Sequence, residues 1–130
     1  AHQAYLYTSA DSGATWDGQP LPEPVWPLEW RNVNSSSTVQ WLTADIRWLF
    51  TTAYYELPDS ITGYNATSIT LTRDGGNTWE SQGLTYWRGE FAFSSLTEGF
   101  AIARADLETA LVYSQNSGLQ WSMLDPILVK

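Results

Sequence analysis

Short runs of β-branched and aromatic residues recur along the chain, broken by clusters of Gly, Asn, Asp, Ser and Pro. Strand composition marks the runs 4–9, 37–43, 46–55, 67–72, 90–95, 99–104 and 110–115. Several alternate with period two, as in Ser68-Ile69-Thr70-Leu71 and Glu90-Phe91-Ala92-Phe93. No longer window keeps an apolar stripe at helical spacing. The pattern predicts an all-β chain.

The polar interruptions repeat. Ser9-Ala10-Asp11-Ser12-Gly13-Ala14-Thr15-Trp16 and Thr72-Arg73-Asp74-Gly75-Gly76-Asn77-Thr78-Trp79 share one order of residue types. A looser copy runs from Ser114 through Asn116 and Gly118 to Trp121, with Gln120 in place of the Thr. Each copy has a strand before it and another starting at its Trp. The strands then group as an outer hairpin over 4–20, a four-stranded unit over 37–84 and a second over 88–128. Asp11 to Asp74 is 63 residues and Asp74 to Asn116 is 42; about 40–50 residues is the length of one four-stranded propeller blade. Two stretches stretch the spacing. One is the Pro-rich connection within 20–36, whose prolines bar a central strand. The other is 56–65, which lengthens the link between two strands.

The repeated residues predict a self-satisfied turn. Gly13, Gly76 and Gly118 supply the positive φ that a tight hairpin needs. The Asp11 and Asp74 carboxylates can accept from turn amides, and the hydroxyls of Ser9, Thr72 and Ser114 can complete the same network. Thr15 and Thr78 open the outgoing strands. Trp16, Trp79 and Trp121 are expected to lay their rings on the core between neighbouring sheets. These Asp and Asn side chains do not offer the alternating oxygen ligands and closing Glu of a calcium loop, so no metal is expected.

Composition narrows the chemistry. Fourteen acidic residues against six basic ones give a net charge of −8, which disfavours nucleic acid or an anionic membrane as partner. Without cysteine there is no disulfide, thiolate site or thiol nucleophile, and the lone His2 leaves a histidine triad nothing to be built from. No apolar run approaches the roughly 18 residues of a membrane span. The sequons at Asn34 and Asn65 suit exposed loops of an exported, extracytoplasmic protein.

The S-x-D-x-G-x-T-W frame resembles the Asp-box, or BNR repeat, of β-propellers. Sialidases, some exo-acting glucanases, sortilin-type receptors and photosystem II assembly-factor-like proteins carry it. The stretch 91–103 is similar to an inner-strand segment of the assembly-factor-like branch. The resemblance implies propeller blades of four antiparallel strands, about two and a half of them here, with the boxes on the periphery. It also implies that the rest of a longer chain, or other subunits, complete the propeller.

Two functions follow from these expectations. A sialidase-like site would need converging arginines and a Tyr–Glu pair. The chain offers Arg31, Arg47, Arg73, Arg88 and Arg104 with Tyr54, Tyr55 and Glu56, but lacks the family's Arg-Ile-Pro signature. A glucanase-like site would need two carboxylates across a cleft. The preferred reading is non-catalytic: a scaffold or recognition module for a protein or glycan, needing no cofactor. Trp26, Trp30, Trp87, Tyr54, Tyr55 and Tyr64 are its candidate contacts, unless their rings simply cover the core.

Overall fold

The structure, a computed structural model, describes residues 5–59, 62–105 and 108–124. His2 and the segment 125–128 assigned above to the last unit lie outside these. The chain is all-β and its sheets are antiparallel, none of them closed. Strands β1 (Tyr5–Thr8) and β2 (Asp17–Pro20) form a hairpin. Strands β3 (Arg31–Trp41), β4 (Arg47–Glu56), β5 (Gly63–Thr72) and β6 (Glu80–Thr85) form a meander in sequence order. So do β7 (Arg88–Phe93), β8 (Gly99–Ala105), β9 (Glu108–Ser114) and β10 (Ser122–Met123).

Strand ends differ from the sequence reading in an informative way. β3 begins at Arg31 rather than at residue 37, with a register shift between Arg31 and Asn34. β5 begins at Gly63 because Tyr64 and Asn65 pair with Tyr55 and Tyr54. The polar character of these segments hid them: backbone pairing, not apolar alternation, makes them strands. As a result Asn34 and Asn65 sit within strands, flanking Tyr54 in register, and not in loops.

The three pieces stack. β4 is buried along most of its length because the β3–β6 sheet is covered on both faces. On one face Trp48, Phe50, Ile69 and Leu71 form the main core with Phe93, against which Phe91 and Trp121 pack. The Phe93 ring stacks on Trp48 at 4.1 Å and Phe91 on Phe50 at 4.5 Å, so aromatic residues knit the two sheets together. On the opposite face lie Leu49 and Ala53, both buried, and there Gln19 of the hairpin reaches Arg47 and the Gly75 carbonyl.

Trp121 occupies the inter-sheet position expected of it. Trp79 is half-buried, and its indole N–H has no partner. Trp16 departs from expectation: it is 60% exposed, because among the described residues no sheet lies over its side of the hairpin.

Candidate functional site

The box turns form the same network three times. In the second, the Thr72 hydroxyl donates to Asp74 Oδ1 (2.8 Å) and accepts from the Gly76 amide (2.9 Å). Asp74 Oδ1 accepts from the Thr78 amide (2.9 Å) and Oδ2 from the Thr78 hydroxyl (2.6 Å). Ser9, Asp11, Gly13 and Thr15 reproduce each bond in the first turn. In the third, Asn116 Oδ1 takes the Gln120 amide at 2.9 Å, and the Asn116 amide group turns to donate to Gln120 Oε1. Hydrogen bonds from the Thr15 and Thr78 side chains, then from their amides, hold Asp11 and Asp74 down to a pKa of about 2. The glycines have φ near +92°, and the preceding Ser12, Gly75 and Ser117 are also left-handed. Two consecutive positive φ values make a type I′ turn inside each longer loop, closed by the Ala14 amide on the Asp11 carbonyl and the Leu119 amide on that of Asn116; the residue before the glycine was the part the sequence motif did not disclose.

These carboxylates are consumed by their own turns. Among the described residues no group of three or more His, Cys, Asp or Glu side chains could hold a metal ion.

The aromatic candidates separate into two sets. Trp87 belongs to the core: its ring packs on Phe91 and Trp121, and its carbonyl accepts from the Thr67 and Thr85 hydroxyls. Trp26, Trp30, Tyr55 and Tyr64 form a ladder instead. Trp26 stacks on Trp30 at 5.4 Å, Trp30 on Tyr55 at 3.5 Å, and Tyr55 meets Tyr64 at 5.7 Å. Trp30 and Tyr55 largely cover each other, clamping the Pro-rich connection onto the sheet. Burial pushes the Tyr55 hydroxyl up, and nearby Tyr86, Tyr64 and Glu29 add to the shift. The exposed end of the ladder is Tyr64, 38% exposed, and Tyr86, 65% exposed, lies near enough to Tyr55 to act on its hydroxyl. Tyr54 projects from the other face of β4, where its ring lies over Gly63, a position with no room for a Cβ.

This ladder stands where the repeat is broken. The end of β4, the start of β5 and the connection before β3 are the two stretches that lengthen the spacing, and Trp30–Tyr55 joins them. Tyr86 and Glu29 escaped the sequence reading. Their adjacency to Trp87 and Trp30 was visible, but nothing local shows that the chain folds them to one place.

The catalytic alternative finds no such convergence. Tyr54 and Tyr55 point to opposite faces of β4, as do Tyr55 and Glu56, and Glu56 accepts from Asn32 at 2.6 Å. Arg47 is held by the Ala44 carbonyl and lies over Trp41. Arg73 pairs with Glu80, and Arg104 with Glu90. The arginines are spread over the fold.

The sequence matches no family model, and no curated protein or solved structure matches it either.

Proposed function

We propose that this chain is part of an Asp-box β-propeller that serves as an extracytoplasmic recognition module, and that its ligand is a glycan. One observation carries the reading: the two departures from the repeat meet in an aromatic ladder that ends on exposed Tyr64, with exposed Tyr86 near Tyr55. A stable scaffold has no need of extra strand length there. Tyr rings pair an apolar face with a hydroxyl, which suits the C–H faces and hydroxyls of a sugar. Glu29 near Tyr55 adds an acceptor. With a net charge of −8, the surface favours a neutral or cationic sugar over an anionic one. The three box networks supply the rigid frame that such a rim requires.

Titration of the chain with neutral and amino-sugar oligosaccharides, read by Trp fluorescence and amide shifts, tests this. Binding should weaken about tenfold or more in Tyr64→Ala and Tyr86→Ala while the thermal melt is unchanged. Failure to bind any such oligosaccharide, or binding indifferent to both substitutions, would refute the reading.

A further inference from the structure

Gln40 joins the two four-stranded sheets in a way that the box repeat does not require. Its side-chain amide donates to the Phe93 carbonyl at 2.8 Å and accepts from the Phe93 amide at 2.9 Å. Those are the two bonds that a neighbouring strand would make there. Phe93 thus turns its N–H and carbonyl away from β8, on the outer edge of β7, and a side-chain amide from β3 stands in for a peptide group.

Two residues back, the same arrangement is unfilled. Thr38 and Gln40 lie opposite Phe50 and Trp48 in register, so both side chains are on the face turned toward β7. Phe91 stacks on Phe50 as Phe93 stacks on Trp48. By the alternation of an antiparallel strand, Phe91 also directs its N–H and carbonyl outward. Thr38 holds the position that would serve them, and its side chain is shorter than that of Gln40. What remains is a cavity of about 390 Å³ between Thr38 and Gln40 of β3 and Gly89, Glu90 and Phe91 of β7, with Phe50 also lining it. Both walls are described strands of the two stacked sheets. Among the described residues no donor or acceptor from outside the sheet reaches the backbone of Phe91.

The size and lining suit a ligand: aromatic rings, a hydroxyl, an unpaired peptide edge and one carboxylate. The carboxylate is Glu90, whose side chain is 75% exposed and meets Arg104 only at 3.8 Å, a loose surface pair that another cation can displace. Gly89, without a side chain, leaves the edge unobstructed beyond Phe91.

We propose that this cleft binds an extended peptide, which adds to the edge of β7 at Phe91 and sets a basic side chain on Glu90. The Gln40 amide is the chain's own instance of the group that is recognised, and the incoming peptide group continues at Phe91 the line that Gln40 begins at Phe93. The mode is strand addition, in which main-chain bonds supply affinity and side-chain contacts supply selectivity. A net charge of −8 favours a basic peptide over an acidic one. The cleft is on the face of β4 opposite Tyr55, so the proposal does not rest on the glycan reading.

The probe is a pentapeptide of alternating Thr and Lys, capped at both ends, titrated into the full chain and followed by amide chemical shifts. The shifts should concentrate on Thr38, Gly89 and Phe91, and the Phe91 amide, open to exchange in the free chain, should become protected. The fully N-methylated peptide keeps the charge but has no donors, and should bind about tenfold or more weakly. Glu in place of Lys in the peptide should also weaken binding, and Glu90→Gln should narrow that difference. In Thr38→Gln the longer amide should seat on Phe91 as Gln40 does on Phe93, closing the cleft, abolishing peptide binding and slowing exchange of the Phe91 amide. Should that variant fold poorly, the N-methylated peptide decides the matter with the parent chain. No saturable binding of the Thr–Lys peptide, equal affinity of its N-methylated form, or a Phe91 amide already protected in the free chain would overturn the proposal.

Discussion

Replacing Thr72 by Val removes one hydroxyl and keeps the side-chain shape, in a turn whose burial is known. Thr72 is fully buried. Its hydroxyl is the acceptor for the Gly76 amide at 2.9 Å, itself buried, and a donor to Asp74 at 2.8 Å. The exposed Asp74 carboxylate can exchange that donor for water. The Gly76 amide cannot, so its lost bond sets the cost, about 1–3 kcal/mol for a buried donor left unpaired. An additional buried methyl offsets up to roughly 1 kcal/mol. The net loss is then about 1–2 kcal/mol, a shift of roughly 0.5–1 M in the urea midpoint at unchanged slope. Ser9→Ala removes the same bonds from an exposed turn, where water can reach the Gly13 amide, and should stay within about 0.5 kcal/mol. Urea melts of both variants decide the matter. Equal losses, or none at Thr72, would refute the idea that burial of the amide governs what the turn contributes.

Acid should weaken the fold in a defined window. Asp11 and Asp74 have folded pKa values of about 2 against an ordinary 3.8, so their contribution is complete above about 4 and fades as pH falls toward 2; urea midpoints of Asp74→Asn measured across pH 2–5 should fall less steeply than those of the parent. Gly76→Ala should destabilise more than Gly83→Ala, as melts will show: both positions have positive φ, but a Cβ at Gly76 meets the Gln19 side chain at 2.6 Å while Gly83 has open space. Trp30→Ala removes the ring stacked on Tyr55 and should expose the 21–30 connection to protease well before the sheets unfold.

How much of this was legible in the residues depends on what each signal reports. The box turns were readable because every bond in them spans at most four positions, so the order of residue types already contains the geometry. The meanders were readable for a similar reason, successive strands being hairpin partners. The starts of β3 and β5 were not, since Asn34, Ser35, Ser36 and Asn65 carry no apolar period and are placed by backbone pairing. Among the aromatic residues, composition could not tell Trp87 from Trp30. One packs in the inter-sheet core and the other clamps a loop, and that difference lies in contacts made far along the chain, such as Trp30 with Tyr55. Trp16 shows the converse: its motif is intact and its turn forms, yet the motif alone cannot supply the sheet that would bury it.

The positions of the box turns and of the ladder also separate two demands on the same sheet. Arg47 pairs with Thr72 at one end of β4 and β5, and Glu56 with Gly63 at the other. The Thr72–Thr78 network therefore sits at one end and Tyr55 and Tyr64 at the opposite one. Between them lie the buried pairs Trp48–Leu71 and Phe50–Ile69, which carry the stacking on the next sheet. In the β7–β10 sheet the corresponding strands are described up to Ala105 and from Glu108. The extra length in β4 and β5 lies beyond the stacked core, where Trp30 stacks on Tyr55. Changes at Tyr64 or Tyr86 then leave both the turn networks and the inter-sheet rings untouched, and the rim is free to vary while the frame beneath it stays fixed.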